Sequence, residues 1–280
     1  VIEPLQSDDT FLADVESASR DESASREARS IHLWWLGQSG YLITWQGRRA
    51  VLDPYLSESL TEKYKDAKNP HVRMTRRVVD PARLRSIDVV TSSHSHTDHL
   101  DADTLKPLVK SNPKLRFIAP RSSLRLAEER LGRTVDFPMD AGETVDIDGI
   151  QIHAVPAAHD RLDKDAQGCF MYLGYILKLG SFTLYHSGDT IVYDGMTEQL
   201  RPFKIDLAIL PINNKLGNMD GVAAARVAKD MGAKLVIPCH YEMFEFNTAS
   251  PAEFVAECEK IGQPYRLLRA GERFDRAEGA

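Results

Sequence analysis

One short segment constrains this chain more than any other. Thr91-Ser92-Ser93-His94-Ser95-His96-Thr97-Asp98-His99-Leu100 follows directly on the apolar run Ile87–Val90. Three histidines and an aspartate at the spacing H-x-H-x-D-H arise by chance in roughly one chain in a thousand of this composition. His94 and His96 are two residues apart, so an extended backbone would point both rings the same way. Asp98 and His99 fall where the strand has ended and a helix is starting. A turn there can bring a carboxylate and a third imidazole to a neighbouring point. Imidazole with carboxylate suits Zn, Mn or Fe, and no cysteine lies near enough for a thiolate site.

Four donors on one short loop cannot enclose two metal ions, so partners must come from elsewhere. Four other residues stand at the ends of short apolar runs, where sites are often built. Asp53 ends Ala50–Leu52, and His159 follows Ile150–Ala154. Asp189 closes Tyr185-His186-Ser187-Gly188-Asp189-Thr190, and His240 follows Leu235–Pro238. Each alone reads as an ordinary structural or surface residue. Taken in order with the histidine cluster, they read as a site.

The surrounding chain alternates strand and turn signals. Ile31–Leu36, Tyr41–Trp45 and Arg49–Asp53 are short β-type runs, and Leu115–Ala119 is another. Asp148-Gly149 predicts a hairpin between Thr144–Ile147 and Ile150–Ala154, and Gly180 one between Phe170–Leu179 and Ser181–His186. Asp206–Leu210, Leu235–Pro238 and Tyr265–Leu268 read as further strands. Helices are predicted at Asp103–Lys110, Ser122–Leu131, Gly221–Met231 and Pro251–Ile261. The pattern predicts two mixed sheets with helices outside them, folded as one domain over 31–280. Residues 1–30 read as a separate N-terminal arm. Asp8-Asp9-Thr10 could cap a short helix through Leu12 and Val15, and the Ser17–Arg26 stretch reads as solvated or frayed.

Composition narrows the function classes. A net charge of −6 gives no bulk attraction to nucleic acid or anionic lipid. Neither a nucleic-acid nor a membrane partner is therefore expected; a small-molecule substrate is, and a homo-oligomer is compatible with the sequence. Three widely spaced cysteines, Cys169, Cys239 and Cys258, are no disulfide framework and fit a reducing, cytoplasmic setting. Residues 1–20 have neither the basic start nor the apolar stretch of a signal peptide. A leader removed before Val1 would leave no trace.

Asp, then H-x-H-x-D-H, then His, Asp and His, each at a strand end, resembles the metallo-β-lactamase superfamily over about residues 31–270. The resemblance implies an αββα sandwich with the metal centre at one edge between the sheets. It implies that His94, His96 and His159 hold one metal, that Asp98, His99 and His240 hold a second, and that Asp189 bridges them. Asp53 would orient ligands through hydrogen bonds. Trp34-Trp35-Leu36-Gly37-Gln38-Ser39-Gly40 looks like the opening strand pair of the L-ascorbate-6-phosphate lactonase group and its lactonase-like relatives. Leu184–Asp189, Pro211–Asn214 with Gly217–Asp220, and Ile237–Phe244 are similar to further motifs of that group. Those enzymes are longer after the third motif, where only Arg161–Gln167 stands here.

The implied reaction is opening of a lactone or related small ester by metal-bound hydroxide, with one or two divalent ions (Zn, Mn or Fe). Asp98 or Asp189 would orient the nucleophile and take its proton. His186 reads either as a donor to the oxyanion or as a buried hydrogen-bonded histidine. Asn213, Asn214 and Asn218 read as donors to sugar-like hydroxyls or as turn residues. Arg73, Arg76 and Arg77 read as a phosphate grip or as a solvated surface cluster. The competing function is a metal-dependent phosphodiesterase, nucleolytic or of the type that cleaves N-acyl phosphatidylethanolamine.

Overall fold

The computed structural model describes residues 1–24 and 30–277. Residues 25–29, including the end of the small polar stretch, lie outside the described part. Among the described residues, thirteen strands form two mixed sheets. The first sheet contains β1 (Ser30–Gly37), β2 (Gly40–Trp45), β3 (Arg48–Leu52), β4 (Val89–Thr91), β5 (Arg116–Pro120), β6 (Phe137–Met139) and β13 (Arg273–Ala277). Their order is β13-β1-β2-β3-β4-β5-β6. The second contains β7 (Thr144–Ile147), β8 (Ile150–Pro156), β9 (Leu173–Leu179), β10 (Phe182–His186), β11 (Leu207–Pro211) and β12 (Leu235–Cys239), ordered β12-β11-β10-β9-β8-β7.

Alternation along the strands sorts side chains between two cores, because successive residues of a strand point to opposite faces. On β1, Ile31, Leu33 and Trp35 enter the core between the sheets, whereas Trp34 and Leu36 face outward. Tyr41, Ile43, Ala50 and Leu52 join the inner set; Leu42, Val51 and Val90 join the outer one. Three helices cover that outer face: α1 (Asp8–Ala24), α3 (Ala102–Ser111) and α4 (Leu124–Leu131). On the second sheet, α6 (Gly221–Asp230) lies against β11 and β12, with α7 (Ala252–Ile261) packed beside it. Two short helices, α2 (Ser59–Lys63) and α5 (Met196–Leu200), complete the set. The αββα expectation therefore holds.

Three local expectations change. The helix expected through Leu12 and Val15 forms but runs on as α1 into the Ser17–Arg26 stretch read as solvated, where Ala18 is buried. Phe11, Val15 and Ala18 of α1 are buried in the outer core, and Phe11 meets Trp34 edge-on at 6.4 Å. Their i, i+4, i+7 spacing makes an apolar stripe that the polar residues around it obscure in sequence. Tyr265–Leu268 is not a strand: Tyr265 makes one bridge, to Val236. The edge strand is instead β13, antiparallel to β1 from Ser30↔Ala277 to Trp34↔Arg273. Charged residues on β13 hide it from an apolar reading and suit a sheet edge. The unpredicted β6 carries Pro138, tolerated because it too is an edge strand. No helix among the described residues is long and apolar enough to cross a membrane.

Candidate metal centre

The predicted metal ligands come together where chain segments leave the ends of β3, β4, β8, β10 and β12. After β4 the chain does not stay extended. Backbone bonds from His99 N to His96 O (3.1 Å) and Leu100 N to His96 O (2.8 Å) fold it into a compact turn. The Ser92 hydroxyl donates to His99 O at 2.7 Å and closes that turn. His94 and His96 still face each other, with ring centroids 4.6 Å apart. The turn, rather than strand parity, places them.

The other elements fasten onto this turn. Asp53 (φ 39°), Gln38 (φ 52°) and His240 (φ 61°) all have left-handed backbones, which cost non-glycine residues about 1–2 kcal/mol each. Such strain persists only where the surroundings over-determine it. Asp53 N donates to Thr91 O and His240 N to Gln38 O, both at 3.0 Å. Gly188 (φ 61°) packs so closely that a Cβ there would lie 2.6 Å from Ser93 Cβ. Asp189 is thus presented against the histidine turn. Ala158 N donates to Thr190 Oγ1 at 3.0 Å, tying the His159 segment to the Asp189 loop.

The donor atoms fall into overlapping groups. Single donor atoms of His94, His96 and Asp189 lie within 4.8 Å of one another, as do those of Asp98, His99 and His240. The two Asp189 oxygens reach toward the second group. Oδ1 is 3.2 Å from His99 Nε2, and Oδ2 is 3.3 Å from His240 Nε2. His159 stands outside both groups, but its ring is 4.7 Å from that of His96 and 6.0 Å from that of His94. Tyr172, unremarked in the sequence, stacks on His159 at 4.9 Å. Asp53 is occupied by hydrogen bonds. Its Oδ1 accepts from Ser93 N at 2.8 Å, and its Oδ2 accepts from the Ser93 hydroxyl and faces His99 Nδ1 at 2.6 Å. That contact turns the other nitrogen of His99 toward Asp98 and Asp189.

A divalent ion fits this donor set. His94 Nε2 is buried without a hydrogen-bond partner, and His99 Nε2 and Asp189 Oδ1 meet as a buried ion pair at 3.2 Å. A buried polar atom left unpaired costs about 1–3 kcal/mol, and coordination would satisfy it. Burial drives the His94 and His96 rings toward the neutral, ligating form. Burial opposes charge on His99 and His240 as well, but the adjacent Asp189 and Asp98 carboxylates outweigh it. They hold His99 well above the usual imidazole range and push His240 up to about 9. The same pairings keep Asp98 and Asp189 ionised despite their burial.

Gln38 contributes what residue type alone did not signal. Fully buried, it donates from Nε2 to Asp98 Oδ2 at 2.7 Å and lies 3.0 Å from His240 Nε2. His96, Asp98, His159, Asp189 and His240 line a cavity of about 590 Å³. Its walls are Leu60, Tyr64, His71, Leu216, Phe244, Phe246 and Asn247, with Lys63, Lys68 and Arg130 also lining it. His71, outside every motif, is therefore a wall residue.

The predicted substrate contacts lie elsewhere. His186 is fully buried, with Nε2 2.8 Å from Ser39 O and its ring edge-on to Tyr41. It is the buried histidine of the two readings. Asn213 donates to Lys215 O and Asn247 Oδ1, and Asn218 accepts from Thr190 N. Both brace loops, whereas Asn214 is an exposed turn residue with φ 52°. Arg73 is buried, donating to Thr75 O and Ser57 O and covering the Tyr55 ring. Arg76 is exposed and paired with Glu3, and Arg77 with Asp80. No arginine grip faces the cavity from this segment, because loop carbonyls and local carboxylates satisfy it. Cys239 packs inward as expected, and all three cysteines are free.

Fold and site define a metal-dependent hydrolase of the metallo-β-lactamase superfamily. The family model described as beta-lactamase superfamily domain matches residues 32–240, and the chain belongs to that family. A UPF0173 metal-dependent hydrolase of Sulfolobus acidocaldarius is 28% identical over 248 residues, covering 86% of this chain and 97% of that one. A UPF0173 metal-dependent hydrolase of Nanoarchaeum equitans is 31% identical over 207 residues, 71% of this chain and 92% of that one. Among solved structures, the metallo hydrolase Igni18 of Ignicoccus hospitalis shares the fold, with a TM-score of 0.67 at 23% identity over 88% of this chain and 98% of that one.

Proposed function

We propose that the protein opens a lactone or a related small ester. One observation carries the reading: the His/Asp cluster forms part of the lining of a cavity of about 590 Å³ whose remaining wall combines apolar and aromatic side chains with Lys63, Lys68 and Arg130. That size and lining suit a small molecule rather than a polymer. In this reading His94, His96 and His159 would hold one ion and Asp98, His99 and His240 a second, with Asp189 serving both. A bound divalent ion (Zn, Mn or Fe) supplies Lewis acidity and lowers the pKa of coordinated water toward neutrality. Asp53 fixes the His99 ring, and Gln38 holds Asp98 and His240 in register. Asp98, ionised and facing the cavity, is placed to orient the attacking water.

The test is a panel of lactones, carboxylic esters, phosphodiesters, β-lactams and RNA, offered to protein supplemented with Zn or Mn. Turnover of lactones or esters above the rest is the expected outcome. Cleavage of phosphodiesters or RNA with every lactone and ester inert would replace this reading with the phosphodiesterase one.

A further inference from the structure

The cavity walls narrow the substrate class. On one side, Tyr64, His71, Phe244 and Phe246 form an aromatic cluster. Tyr64 stacks on His71 at 4.4 Å, and His71 meets Phe244 and Phe246 edge-on at 5.0 and 4.5 Å. The side chains come from two segments, 64–71 and 244–246, that pack together near the His/Asp cluster. A cluster built this way offers an apolar group large contact area at little cost in side-chain freedom.

Charge is distributed in the opposite sense to the chain as a whole. The protein carries −6, yet Lys63, Lys68 and Arg130 line the cavity, and the only carboxylates among its described lining residues are Asp98 and Asp189. Lys63 sits over the Tyr64 ring, 5.0 Å from its centroid. Lys63 and Lys68 are exposed, while Arg130 donates to Ser95 O and Leu100 O and has no carboxylate partner there. Exposed cations at the edge of a cleft attract anionic ligands into it.

We infer that the cavity takes an amphipathic anion: a substrate with an apolar body packed against the Tyr64–His71–Phe246 cluster and a carboxylate or phosphate directed to Lys63 and Lys68. The inference rests on the reading of this cavity as the substrate site of an ester or lactone hydrolase. Its test reads binding and not turnover, so that the two can fail separately.

Three probes of one shape, none with an ester bond, are titrated calorimetrically into Zn-supplemented protein: 3-phenylpropionate, 2-phenylethylphosphonate and the neutral 3-phenylpropanamide. Both anions should bind more tightly than the amide. Lys63→Gln and Lys68→Gln should each shrink the anion-to-amide affinity ratio roughly three- to fivefold, the range of an exposed charge pair. Phe246→Ala should weaken all three probes while leaving the ratio near its wild-type value. Equal binding of anions and amide overturns the inference. So does an anion preference untouched by both lysine variants, which would place the anion on the His/Asp cluster alone. A preference for phosphonate over carboxylate, or the reverse, that the lysine variants reduce identifies which anion the site is built for. Confirmed binding with no ester or lactone turned over would sink the proposed function and keep this inference.

Discussion

His99 Nδ1 lies 2.6 Å from Asp53 Oδ2, and both side chains are wholly buried although 46 residues separate them. The contact aims a histidine from the turn after β4 by means of a carboxylate at the end of β3. It fixes which nitrogen of His99 is left for a metal.

Asp53→Ala should reduce metal affinity about 10–100-fold, as loss of a ligand-orienting partner commonly does. It also strands the Ser93 N–H, at about 1–3 kcal/mol of stability. Competition with a chelator measures the first effect and thermal unfolding the second. Unchanged metal affinity would remove Asp53 from the positioning role.

Metal binding should release protons at neutral pH. His240 is held up to about 9 against an ordinary 6.5, so the metal-free ring carries a proton that a ligating nitrogen must lose. The sign for stability follows. In metal-free protein the pairing of His240 with Asp189 and Asp98 stabilises fully below pH 6.5 and is lost as pH rises through about 9. Apparent metal affinity should climb across the same window. Calorimetry of metal binding in two buffers of different ionisation enthalpy counts the protons; a count of zero at neutral pH would contradict the assignment.

Gly217→Ala should lower metal content and activity out of proportion to its effect on folding. Gly217 has φ +80°, and a Cβ there would lie 2.5 Å from Cγ and Nδ1 of His159. Gly142→Ala, at φ +91° with nothing within 4 Å, supplies the backbone strain alone, about 1–2 kcal/mol. If both variants retain metal equally, crowding of His159 is not what Gly217 avoids.

Arg73→Ala should destabilise by about 1.5–3 kcal/mol, since its buried guanidinium serves Thr75 O and Ser57 O. Arg76→Ala, on the surface beside Glu3, should stay within about 0.5 kcal/mol and should not discriminate phosphorylated from neutral substrates. A selective rise in KM for phosphorylated substrates in Arg76→Ala would restore the arginine grip that the fold argues against.

Phe11→Ala should cost about 3–5 kcal/mol, the usual range for a fully buried phenylalanine, with metal stoichiometry retained by the folded fraction. Denaturant unfolding decides it, and a loss below about 1 kcal/mol would return residues 8–19 to the status of a loose arm.

By itself, the sequence determined the chemistry of the metal centre's donors and the order of the strands that carry them. The H-x-H-x-D-H spacing and a period-two apolar pattern are both local, so both can be read from near neighbours in the chain. What faces the donors was decided only in three dimensions. Gln38 reaches Asp98 and His240 because β1 ends in a left-handed turn beside the end of β12. His71 joins Tyr64 and Phe246 in one wall because two distant segments pack together. His186, one strand-end residue among several, turns inward to Ser39, and Arg73 is drawn into loop carbonyls. Spacing along a chain records which residues share a strand or a turn. Which hydrogen-bond partner claims a side chain depends on contacts between segments tens to hundreds of residues apart, and no local pattern encodes them.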